Sequence, residues 1–85
     1  MKFLAEFVTD REHAGRIAQR AAHQVEVVKV APDGEKSRVS IVFDSPDHYD
    51  ARTLALAVQG ARPVVARIRR DAPMFPGRWF DLNED

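Results

Sequence analysis

His48 stands among Asp44, Asp47 and Asp50. An imidazole with carboxylates close on either side is the grouping from which a divalent metal site or a general acid–base pair is built. The same residues follow Ser45-Pro46, which reads as a helix start, where the positive end of the dipole favours acidic side chains. Capping is the simpler account of them. His13 and His23 lie ten residues apart, share no tight ligand spacing, and read as surface histidines. Arg67 and Arg69 alternate within an apolar run, Arg70 follows, and Arg38 sits in a second such run. A guanidinium suits bidentate contact with carboxylates, and alternating charge also guards a strand edge against unwanted pairing. Trp79 and Phe80 hold the only Trp and one of the five Phe, and Trp and Arg are enriched at binding hot spots. There is no Gly-x-Ser-x-Gly, and the four glycines are scattered at 15, 34, 60 and 77, so no phosphate-cradling loop is present. Without cysteine there is no disulfide, thiolate metal site or cysteine nucleophile. No catalytic residue, cofactor or metal is therefore expected.

The elements that must position these groups follow from the apolar spacing. Residues 2–8 read as a strand with Phe3, Ala5 and Phe7 on one face and Leu4, Glu6 and Val8 on the other. Thr9-Asp10-Arg11-Glu12 fits a capping box, predicting a helix over about 10–23 with the stripe Ala14, Ile17, Ala18 and Ala21. Residues 24–31 and 37–43 read as strands joined by the turn Ala31-Pro32-Asp33-Gly34-Glu35, with Val39, Ile41 and Phe43 opposite Arg38, Ser40 and Val42. Ser45 is the expected cap of a second helix that stops at Gly60, with the stripe Ala51, Leu54, Ala55 and Val58. Tyr49 and Leu56 lie off that stripe and call for a second cover. Residues 63–70 read as a fourth strand, Val64, Ala66 and Ile68 inward, Val65, Arg67 and Arg69 outward. Pro76-Gly77 predicts a type II turn and residues 78–82 a short fifth strand. Phe75, Trp79, Phe80 and Leu82 are expected to fold back over the second helix or the sheet.

Eighty-five residues make one domain, read as 1–71 with a tail over 72–85. Thirteen basic and thirteen acidic side chains cancel, but residues 62–80 hold five Arg against Asp71 alone. Apolar residues at 45% suit a globular chain. No apolar run approaches the ~18 residues of a membrane span. Glu6 interrupts the opening apolar residues, so no signal peptide is expected, and a cytoplasmic location is.

Strand, helix, strand, strand, helix, strand is the split βαβ pattern of the ferredoxin-like fold, an α+β class. It implies an antiparallel sheet of order 4-1-3-2 with both helices on one face. Phe7-Val8-Thr9-Asp10 with Gly15-Arg16-Ile17-Ala18 resembles the start of ACT regulatory domains, which implies an amino-acid site at the first strand-to-helix loop. The runs 1–7 and 41–47 resemble the opening strand and the third strand with its helix cap in dimeric α+β-barrel proteins. That resemblance implies a dimer and an enzyme cavity lined by Glu6, Tyr49 or His48. The run 36–43 sits where the RNA-recognition motif has its octapeptide, but Arg38 and Ser40 stand where stacking aromatics would, and nucleic acid is not expected.

The uncovered face of such a sheet is half apolar and half charged. The expected function is therefore non-catalytic: binding another protein, through a surface that suits acidic groups, with a homodimer as the alternative use of the face. The expected contact residues are Glu6, Arg38, Arg67, Arg69, Trp79 and Phe80. An inhibitor of a larger host complex, of the kind phages and mobile elements encode, has this size and this lack of a catalytic centre. So has a small adaptor.

Overall fold

The computed structural model describes residues 1–84. In chain order the elements are β1 (Lys2–Thr9), α1 (Arg11–Ala21), β2 (Val27–Asp33), β3 (Lys36–Asp44), α2 (His48–Gln59), β4 (Val65–Arg70) and β5 (Phe80–Asp81). The sheet runs β2-β3-β1-β4-β5 with every pairing antiparallel. Its first four strands have the ferredoxin-like 4-1-3-2 order, and β5 extends the sheet beyond β4.

Strand alternation sorts the two faces. Phe3, Ala5 and Phe7 of β1, Val39, Ile41 and Phe43 of β3, and Ala66 and Ile68 of β4 are buried on the helix side. Register places Phe3 opposite Phe43, and their rings stack at 6.1 Å. Against this layer α1 sets Ala14, Ile17 and Ala21, and α2 sets Ala51, Ala55 and Val58. Small side chains at most of these positions let both helices lie close to the sheet. Burying each large side chain of the core contributes roughly 1.5–3 kcal/mol.

The helix ends differ from the sequence expectation by one or two residues. Asp10, not Thr9, caps α1: its Oδ1 accepts from the His13 N–H at 2.8 Å. Thr9 is still in β1, where alternation turns it into the interior. Asp47, not Ser45, caps α2, its Oδ1 accepting from the Asp50 N–H at 2.8 Å. Ser45 is buried and continues the β1–β3 pairing, its N–H donating to the Met1 carbonyl at 2.8 Å. Gly60 ends α2 at φ 84°, where Arg20 of α1 donates to the carbonyls of Val58 (2.8 Å) and Gln59 (2.7 Å). A cation thus satisfies carbonyls that the end of a helix leaves open.

β2 begins three residues later than its apolar run suggests. The Ala21 carbonyl accepts from Gln24 and Val25, and these turns after α1 take up the first residues of the run. The hairpin turn is narrower too, with only Gly34 and Glu35 between paired Asp33 and Lys36. Gly34 supplies the positive φ, 62°, that a two-residue hairpin requires.

After β4 the chain makes a loop closed at its neck by the Gly77 N–H on the Arg70 carbonyl at 3.0 Å. Gly77 has no positive φ, so the expected type II turn is absent. Glycine is needed there for close approach instead: a Cβ would lie 3.0 Å from Arg70 Cβ and 3.1 Å from its N. Leu82 is fully buried in the common core, as the fold-back reading expects. Phe75 is not part of that cluster, at 82% exposed, and Tyr49 is uncovered at 79%. The pinned neck and the prolines on either side of Met74-Phe75 hold the loop away from the body.

Candidate functional site

The face of the sheet opposite the helices carries Leu4, Glu6 and Val8 from β1, Arg38, Ser40 and Val42 from β3, and Val65, Arg67 and Arg69 from β4. Register lines them up in rows across the strands. Ser40, Glu6, Arg67 and Asp81 form one row, and Val42, Leu4 and Arg69 form the next. The rows put a charged band beside an apolar one.

Three groups lock the centre of the charged band. Arg67 donates from Nε to Glu6 Oε1 at 2.9 Å, with Nη2 at 2.8 Å from the same oxygen. Its guanidinium carbon lies 3.9 Å from the centre of the Trp79 ring, and that of Arg69 lies at 4.9 Å. Both distances are within cation–π range. The single indole, one residue before β5, therefore covers two arginines that β4 presents two positions apart. Glu6 is the shielded member, its side chain 15% exposed against 51% for Arg67. Arg38 is held in a similar way at the other side, Nη2 and Nε donating to Asp33 Oδ2 at 3.0 and 3.3 Å. Arg69 has no such bond to a carboxylate among the described residues. Asp71 Oδ1 is 3.8 Å away, and the Arg69 Nη1 donation goes to the Arg70 carbonyl at 3.2 Å.

Between these groups runs a groove of about 430 Å3, lined among others by Glu6, Val8, Arg38, Val65, Trp79 and Asp81. Of the six residues expected from sequence, Glu6, Arg38, Arg67, Trp79 and Phe80 border it, and Arg69 lies against its Trp79 wall. Phe80 reaches the groove only in part. It pairs with Ile68 and lies toward α2, with its ring 6.0 Å from that of His48. Asp33 and Asp81 belong to the site and were not anticipated. Asp33 reads as a turn residue, while Asp81 lies two positions beyond Trp79, on the same side of a strand, which is the signal that could have found it.

The other candidates do not converge. His48 packs its edge against Phe3, ring centres 4.9 Å apart, and Asp47 is engaged as a helix cap. Among the described residues no three His, Asp or Glu side chains gather as a metal cluster. Glu6 lies on the open face, whereas His48 and Tyr49 begin α2 on the other side of the sheet, so the cavity implied by the barrel resemblance is not assembled from them. His23 is exposed, but His13 is not the surface histidine expected. It is 5% exposed, and neither ring nitrogen has a hydrogen-bond partner. Burial pushes its pKa below the ordinary value, the Arg62, Arg16 and Arg20 charges act in the same direction, and Asp10 opposes them.

No family model, curated protein or solved structure matches the chain.

Proposed function

We propose that the protein is a non-catalytic binding module whose open sheet face docks another protein, one presenting carboxylates beside apolar side chains. The observation that carries this reading is the ordered Glu6–Arg67–Trp79–Arg69 array on a face no helix covers. Guanidiniums already fixed against an indole lose little side-chain freedom when a partner carboxylate arrives. Arg67, with half of its side chain exposed, and Arg69, whose nearest carboxylate is Asp71 at 3.8 Å, are the groups that would meet such a partner. The apolar row Val42–Leu4 beside it supplies area that a docked protein would bury. Work as a small adaptor, or as an inhibitor seated on a larger complex, would both use this face.

The test begins with affinity capture by the wild-type protein and by Arg67→Glu/Arg69→Glu. A protein captured only by the wild type is purified and titrated against both forms by calorimetry. The expected result is a loss of affinity of at least tenfold in a variant that still unfolds cooperatively, at a lowered melting temperature because a carboxylate at position 67 would face Glu6 across the strands. Equal affinity of the two forms overturns the reading.

A further inference from the structure

The loop 71–77 stands beside a second groove. Met74 and Phe75 are 80% and 82% exposed, side by side at the tip, with Pro73 and Pro76 on either side. The Gly77–Arg70 hydrogen bond closes the neck, and glycine is the residue that fits there. The tip is therefore an apolar projection in which each proline removes freedom that binding would otherwise cost.

Immediately after the neck, Arg78, Trp79 and Phe80 form one wall of this second groove, on the helix side. Its other wall is His48 and Arg52 of α2, Ile68 lies between, and the volume is about 560 Å3. Phe80 leaves an exposed apolar surface in it, at 46%. The tip cannot turn back into this groove, because only Pro76 and the pinned Gly77 separate Phe75 from the groove wall. An apolar projection thus lies next to a recess in which Ile68, Trp79 and Phe80 are bordered by charged side chains, each unfilled by its own chain.

We infer that the recess receives the Met74-Phe75 tip of a second copy, and the exchange is reciprocal about a two-fold axis. A surface that carries both halves side by side satisfies the requirement of an isologous contact, in which one patch meets itself. The charges agree with this pairing. Arg70 at the neck has no carboxylate within 4.0 Å among the described residues. The recess also holds Arg52 and Arg78, but the Asp81 and Glu84 carboxylates have no cation within that distance among the same residues, Arg52 donating instead to the Glu84 carbonyl at 3.1 Å. Each Arg70 would meet these two carboxylates of the other copy. Such a dimer would draw on Trp79 and Asp81, which line both grooves, and would leave Glu6, Arg38 and Arg67 of the open face uncovered.

Light scattering on the full chain, from micromolar to about 1 mM, measures the mass against the 9.6 kDa of one chain. The expected result is a concentration-dependent rise toward twice that value. Phe75→Asp should abolish the rise while keeping the melting temperature, since the side chain touches little of its own fold. Because the chain has no cysteine, Phe75→Cys and Arg52→Cys can then be mixed under oxidation. A disulfide joining the two variants places the tip of one copy in the recess of the other. A wild-type monomer throughout the range overturns the inference. So does a dimer that survives Phe75→Asp, or one in which the two variants fail to cross-link.

Discussion

The side-chain amides of Gln59 and Asn83 pair reciprocally, Gln59 Nε2 donating to Asn83 Oδ1 at 2.8 Å and Asn83 Nδ2 to Gln59 Oε1 at 2.9 Å. Asn83 Nδ2 also donates to the Val64 carbonyl at 2.7 Å, and the Val64 N–H reaches Gln59 Oε1 at 3.2 Å. Two amides twenty-four positions apart thereby join the end of α2, the approach to β4 and the end of β5. With Leu82 fully buried next to them, residues 80–83 are an integral part of the fold.

Removing that attachment should cost stability through two separable causes. Leu82→Ala is expected to lower unfolding free energy by roughly 2–5 kcal/mol, from lost transfer energy and a cavity. Asn83→Ala should cost about 1–3 kcal/mol, because buried Gln59 loses its partner. Urea denaturation measures both. A loss below about 1 kcal/mol for Leu82→Ala would show that the tail is not docked on the core.

The only tryptophan reports on the arginine array directly. Arg67→Ala with Arg69→Ala uncovers the indole face, so Trp79 emission should shift to longer wavelength and acrylamide should quench it more strongly. Glu6→Gln should do the same to a smaller extent by loosening Arg67. The stability change for Glu6→Gln should stay within about 1 kcal/mol, as for most pairs with one exposed partner. Emission unchanged in the double variant would mean the stack does not persist in solution.

His13 should make the fold sensitive to mild acid. Its pKa is lowered from 6.5 in the folded state, chiefly by burial, so the unfolded chain binds the proton more readily. Stability contributed by the neutral ring is fully present above the unfolded value and is lost as pH falls from 6.5 through the lower folded value. Asp10 is held below 3.8 by the His13 N–H and by Arg62, so its own loss belongs to more acidic solutions. Urea midpoints for the wild type should fall between about pH 7.5 and pH 5, and His13→Leu should flatten that dependence. An equal slope in the variant would assign the acid sensitivity to other groups.

Arg20 and Gly60 form a joint between the helices. Arg20→Met removes two charge-assisted bonds to α2 carbonyls and should cost roughly 1.5–3 kcal/mol. Gly60→Ala meets both a positive φ and the Arg20 guanidinium, 2.8 Å from the new Cβ. Its expected cost is at least about 1 kcal/mol. In the double variant the guanidinium is gone, so the cost of Gly60→Ala should shrink to the backbone component. Strict additivity of the two losses, measured by chemical denaturation, would show that they do not touch.

Local periodicity made most of the architecture legible. Phe3, Ala5 and Phe7 alternate on one strand, Val39, Ile41 and Phe43 on another, and Ala14, Ile17 and Ala21 repeat at helical spacing. These patterns depend only on nearest neighbours along the chain, so they identify the elements, their order and the buried face. The open-face set Glu6, Arg38, Arg67 and Arg69 follows from the same alternation. Helix caps are a finer matter. Thr9 and Ser45 have capping chemistry as good as that of Asp10 and Asp47, and only the length of the preceding strand decides which residue stands at the turn.

Tertiary structure alone decided the contacts between distant residues. Nothing local to Trp79 says that it lies over Arg67 and Arg69; that follows from the antiparallel register of β5 against β4. Nothing local to His13 marks it as interior, since burial there depends on what packs against the start of α1. The exposure of Phe75 was equally hidden, because a hydrogen bond between Arg70 and Gly77 sets the direction of the loop. Sequence pattern records which face of an element is apolar, while the partner of each side chain depends on how the elements are placed in space.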